Sequence, residues 1–207
     1  MQDILPAIAV DPVHHLPIIT AYADPLGRVS LLNHDVPTEM EVDAGTVVLG
    51  LVWDTLRGRS PRYRVEEFCA PHDTALLGGK ALPPHAFNDD TVGRVLDRLD
   101  DMGTMKLFTA CAVRAATQFG LERRYVHLDT TSHRVWGEYD VPEEPDLPVR
   151  ITYGSSKDKR PDLKQFVLST RCVDRAVPLW GKPADGNASD KTLKTTLLSE
   201  IAQLLAR

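Results

Sequence analysis

The spacing of apolar residues changes character near Gly120. Before it, apolar positions recur at helical intervals; after it, they gather in short β-branched and aromatic runs divided by Pro-rich or polar loops. In the first region, AGTVVLGLVWDTL (residues 44–56) sets Val48, Leu51, Val52 and Leu56 on one side and predicts a buried helix ending near Gly58. RYRVEEF follows the start signal of Ser60 and Pro61 and predicts a second helix carrying Tyr63, Val65 and Phe68. After the break at Pro83 and Pro84, Asn88 or Asp89 caps a third, in which Val92, Val95, Leu96 and Leu99 recur before Gly103. A fourth carries Leu107, Phe108, Cys111, Ala112 and Ala115 and ends at Gly120. The earliest run, LPIITAY (16–22), has strand composition. It closes on the turn signal of Asp24, Pro25 and Gly27, and is expected to pair with residues 28–32 as a hairpin.

Beyond Gly120, YVHLDTTS, RITYG, LKQFVLSTRCV and AVPLWGKPADG read as strands. The last segment reads as an amphipathic helix capped by Ser189 or Asp190, with Leu193, Leu197, Ile201, Leu204 and Leu205 on its apolar face. The expected class is α+β: a mainly helical domain over residues 1–120, then a domain of strands and one helix over residues 121–207. No apolar run approaches a bilayer-spanning length, and the N-terminus lacks a basic region before its short apolar run. A cytoplasmic protein without a membrane partner is expected. Three scattered cysteines, Cys69, Cys111 and Cys172, form no disulfide framework and fit a reducing compartment.

A net charge of −5 sets up no global field for nucleic acid. Locally, however, Arg57, Arg59, Arg62 and Arg64 lie close together, and basic residues outnumber acidic ones from Arg150 to Lys182. Either stretch serves as a solvated face or as a phosphate-contacting surface. The segment from Asp90 to Leu99 has the place of a DNA-reading helix, but Asp89, Asp90, Asp97, Asp100 and Asp101 would face phosphates, so it reads as a packing element. Cys69 with His72, and His14 with His15, have metal-ligand spacing but lack a clustered second pair, and the spacing reads as accidental. Gly78, Gly79 and Lys80 lack the rest of a phosphate-loop pattern. Asp129 stands out because it closes a run that reads as a buried strand. Two readings stand on these residues alone: a structural Asp bonded to the hydroxyls of Thr130, Thr131 or Ser132, or a ligand to a cation.

HLDTTSHRVWGEY, ITYGSSKDKRPDLKQFVLS and PLWGKPADGNASDKT, in that order, resemble the front half of the catalytic core of bacterial insertion-sequence transposases of the DDE type. The segments TVVLGLVWDTLRGRSPRYRVEEF through FNDDTVGRVLDRLDDMGTMKLF resemble the domain of unknown function that precedes that core in the same proteins. The resemblance implies a partial ribonuclease-H-like core of three antiparallel strands and one helix, with Asp129 as the first carboxylate of an Asp, Asp, Glu triad. It implies two divalent metals, magnesium or manganese, and DNA bearing an element's terminal inverted repeats as partner. The other two triad positions fall beyond Arg207, so the expectation is an N-terminal fragment, inactive alone. Asp185 and Asp190 lie where the family places no triad member and are left out of the site. The alternative is a non-enzymatic DNA-binding protein that recognises element ends. An open sheet edge at residues 124–130 implies a tendency to self-associate.

Overall fold

The protein is described by a computed structural model over residues 12–122, 125–139, 149–155 and 160–195. The chain is α+β: a helical N-terminal region followed by a three-stranded antiparallel sheet. It divides into two compact units, Met1–Leu107 and Phe108–Arg207, and the division falls inside a helix. Among the described residues, no helix is long and apolar enough to cross a membrane.

The first unit opens with two helices where a hairpin is expected, α1 (Leu16–Ala23) and α2 (Arg28–Asp35). The turn between them lies where Asp24, Pro25 and Gly27 place it, and Gly27 takes the left-handed conformation that starts α2. The flanks form helices because tertiary packing overrides β-branched composition. Pro17 sits in the first turn of α1, where a missing N–H costs nothing. Thr20 Oγ1 then donates to the Leu77 carbonyl (2.8 Å) and accepts from Trp53 Nε1 (3.2 Å), tying α1 into the unit.

The helix α3 (Ala44–Arg57) lies where the apolar period puts it, capped by Asp43, which accepts from the Thr46 N–H. Its packed side is only partly the expected one. Val48 and Leu51 pack half-buried against the core, but the buried centre is Val47, Gly50, Trp53 and Asp54, and Leu56 is exposed. Glycines mark this side: a Cβ on Gly45 would meet the backbone of Val29, and one on Gly50 would press on the Phe87 ring. A single-turn 3-10 segment (Arg62–Arg64) leads into α4 (Val65–Cys69), followed by α5 (Thr74–Gly78) and a 3-10 turn at Pro84–Phe87. Asn88 caps α6 (Asp89–Asp101), whose Val92 and Val95 are buried while its aspartates face solvent, as a packing element requires.

The helix α7 (Thr104–Gln118) spans the division between units. In the second unit its Ala116, with Leu121 beyond it, packs on Val173, Val177 and Leu179. The sheet runs β1 (His127–Val135), β2 (Lys164–Cys172), β3 (Pro178–Ala184), paired in the order β1-β2-β3, so among the described residues β1 has a neighbour on one side only. RITYG, expected as a strand, contributes a single antiparallel bridge, Thr152 to Gln165. The final helix, α8, is described over residues 190–195. Ser189 caps it by accepting from the Thr192 N–H (3.1 Å); the rest of that expected helix lies outside the described residues.

The turn joining β2 to β3 carries Arg175 (φ 57°, ψ 24°) and Ala176 (φ 57°), both left-handed, closed by Val177 N–H donating to the Asp174 carbonyl (3.2 Å). Neither side chain suits that conformation, which costs about 1–2 kcal/mol per residue. Replacing the pair with Asn-Gly, the pair this geometry prefers, should stabilise the unit by about 1–2 kcal/mol. A urea midpoint that stays put in the double variant would contradict the turn.

Candidate functional site

Neighbouring residues of a strand point to opposite faces of the sheet. In β1, Thr130 is buried, while His127, Asp129 and Thr131 are exposed. Asp129 pairs in register with Thr170 of β2, itself opposite Gly181 of β3. Further along, His133 stacks on Phe166 at 5.0 Å between ring centres. The expectation that Asp129 lies in a buried strand is thus corrected: its carboxylate is exposed and, among the described residues, forms no hydrogen bond or ion pair. The desolvation cost that seemed to demand a partner does not arise. Thr130 does not serve Asp129 either, because its hydroxyl donates to Asp190 Oδ1 (2.7 Å) at the start of α8.

The opposite face explains why the three quoted runs are so densely patterned. Gln165 is 2 % exposed and holds three segments together. Its backbone exchanges hydrogen bonds with Thr152 (2.9 and 3.1 Å), and its side-chain Nε2 donates to the Gly186 carbonyl (2.8 Å). The Gly186 N–H donates to the Arg150 carbonyl (3.0 Å), and Asp185 Oδ1 accepts from the Arg150 N–H (2.9 Å). Asp185 and Asp190 thus each tether a neighbouring segment. Gly154 and Gly186 sit where the segments cross, each without room for a Cβ. Sequence reasoning missed Thr130, Gln165 and these glycines. The available signals were the polar Gln165 and Ser169 alternating with Val167 on the buried face of β2, and a glycine ending each loop motif.

The triad implied by the resemblance holds two hard cations through several carboxylate oxygens. Among the described residues, no group of three or more His, Cys, Asp or Glu side chains lies close enough to hold a metal ion. Asp129, flanked on its face by His127 and Thr131, does not by itself fit two magnesium or manganese ions.

The other candidates resolve into structure. Cys69 is buried and His72 is turned away, its Nδ1 against the Phe68 carbonyl (2.6 Å) and its ring on Phe68. Burial, followed by the nearby Asp54 charge, pushes the Cys69 thiol up to about 12. The thiol form is favoured by folding, so this contribution is intact below the ordinary value near 9 and is lost as pH climbs from 9 towards 12. Cys69 should therefore resist alkylation at pH 8 until the chain is unfolded, and Cys69→Ser should flatten the alkaline loss of stability. Rapid labelling of native Cys69, identified by mass spectrometry, would contradict its burial. Gly78 and Gly79 end α5, with Gly79 left-handed as a helix C-cap, and no phosphate loop forms.

The family described as a domain of unknown function (DUF4277) matches residues 8–113, half of the chain. No curated protein and no solved structure matches it.

Proposed function

For this chain, which belongs to the DUF4277 family, we propose a role in DNA transposition as the N-terminal part of an insertion-sequence transposase of the DDE type. The observation that carries the reading is the setting of Asp129. A carboxylate stands exposed and, among the described residues, unpartnered in the first strand of an antiparallel sheet, on the face turned away from the Thr130 tether to α8. Packing gives it no task, and the first carboxylate of a shared metal site has to be open to metal and DNA. Residues 121–207 form a partial ribonuclease-H-like core in this reading, and residues 1–120 precede it as a DNA-associated domain.

That no group of metal-ligating side chains gathers at Asp129 among the described residues favours a second reading for the chain acting alone: it binds element ends without cutting them. One experiment addresses both. Labelled duplexes carrying an insertion element's terminal inverted repeat, or its scrambled sequence, are incubated with the chain and manganese. Both readings expect tighter binding to the repeat without nicking by this chain alone; manganese-dependent nicking that disappears in Asp129→Asn would show instead that the chain carries an active site by itself. Equal affinity for repeat and scrambled duplexes would overturn both.

A further inference from the structure

The turn after α3 has a construction that its shape alone does not require. Asp54, only 4 % exposed, holds it: its backbone carbonyl accepts from the N–H groups of Gly58 (2.8 Å) and Arg59 (2.6 Å), and its Oδ1 accepts from the Ser60 N–H (3.1 Å). Gly58 is dictated by space, since a Cβ there would lie 2.5 Å from Asp54 Oδ1 and 2.7 Å from the Phe68 ring. Arg59 is not. It adopts a left-handed backbone (φ 53°), where Gly or Asn would be easier, and its side chain is exposed. His14, exposed and also left-handed (φ 47°), brings its Nε2 to 3.0 Å from Arg57 Nη2. That contact requires an unprotonated ring nitrogen as acceptor, since a guanidinium only donates. Among the described residues, neither Arg57 nor Arg59 forms an ion pair with a carboxylate. Tyr63 lies exposed beyond the turn, with the Arg64 guanidinium 5.7 Å from its ring centre. The Arg62 side chain, the fourth of the basic run, lies outside the described residues.

Backbone strain on non-glycine residues, together with cations lacking acidic partners, points to a ligand rather than to packing. The arginine fork matches a phosphate group through paired N–H donors. We infer that Arg57, Arg59 and His14 form a contact site for the phosphodiester backbone of nucleic acid, built on the Asp54-clamped turn. The choice of nucleic acid as the phosphate's source rests on the proposed role in transposition. Such contacts fix position and carry no base information, so the site acts equally on element ends and on other sequences.

The test uses the whole chain and fluorescence anisotropy on repeat and scrambled duplexes, titrated from about 50 mM to about 200 mM salt. Arg57→Ala with Arg59→Ala should weaken binding about tenfold or more and lower the salt slope by about two, equally for both duplexes. Arg59→Gly separates ligand from structure. It relieves the strained backbone, so the urea midpoint should hold or rise while DNA affinity falls. If the chain binds DNA with an unchanged salt slope in both variants, the site is overturned and the transposition reading stands. A repeat-over-scrambled preference lost together with the salt slope would overturn the claim that these contacts are sequence-neutral. Failure to bind either duplex, with capture instead by phosphatidylserine vesicles that the same variants abolish, would overturn the nucleic-acid assignment.

Discussion

Replacing Gly186 with alanine is expected to unfold the sheet-bearing unit, at a cost of about 3 kcal/mol or more. An added Cβ would collide with the Gln165 carbonyl and stand 2.5 Å from the Thr152 carbonyl. Both are backbone atoms held by mutual hydrogen bonds, so neither yields as a flexible side chain would. Backing away would pull the Gly186 carbonyl from Gln165 Nε2 and leave a buried amide unsatisfied, adding about 1–3 kcal/mol. Gly154→Ala should behave alike, since its Cβ would meet the Gly186 carbonyl. Amide exchange read by mass spectrometry should show protection lost across β1, β2 and β3 but retained over α3 and α6. Unchanged protection in the strands would rule out the crossing of Thr152–Gly154 over residues 185–186.

The second large effect is expected from Trp53→Ala in the helical unit, about 3–5 kcal/mol. The indole is 1 % exposed, and its Nε1–H donates to Thr20 Oγ1, which itself donates to the Leu77 carbonyl. Gly78 marks how closely the ring is enclosed: a Cβ there would lie 3.1 Å from it. Truncation thus opens a cavity and strips one link from the chain joining α1, α3 and α5. Since domains are stable by about 5–15 kcal/mol in all, the variant should lose much of its margin. Far-UV circular dichroism in urea would show the first unit melting early, while the fluorescence of Trp180, packed under the Arg171 guanidinium at 4.0 Å, persists. A midpoint shift worth less than about 1 kcal/mol would mean that the cavity collapses without cost.

Helix positions in the first unit were legible where caps and apolar period agree, as at Asn88 with Val92 and Val95. The packed side of α3 was legible only in Val48 and Leu51, because close approach at its centre is made by Gly45 and Gly50, and apolar spacing gives no weight to small residues. LPIITAY misled for a related reason: Ile18 and Tyr22 look like strand core but stand exposed on a helix held by Thr20. In the second unit, the strand carrying Asp129 was legible from its β-branched run, but the face Asp129 would take was not. Alternation puts either Asp129 or Thr130 inside, and partners distant in sequence, Ser169 across the strand and Asp190 beyond the sheet, favour Thr130. The Gln165 crossing depends on partners 13 to 21 residues away, beyond the reach of any local period.

The order β1-β2-β3 also has a consequence in time. The strand β1 leaves the ribosome first, and the 37 residues from 136 to 172 must follow before β2 is complete. At about 5–20 residues per second, that interval is about 2–7 s, far longer than the microseconds in which a hairpin closes. Through that interval the nascent chain carries an unsatisfied strand bordered by Tyr125, Val126 and Trp136, all exposed even in the finished fold. Once β2 has docked, one backbone rim of β1 still pairs with no other described strand. Neighbouring polysomes translating the same message hold many such rims at close quarters, so slow translation and a crowded message favour entanglement of one copy with the next. Yield should then depend on expression rate and temperature more than on the final stability of the fold.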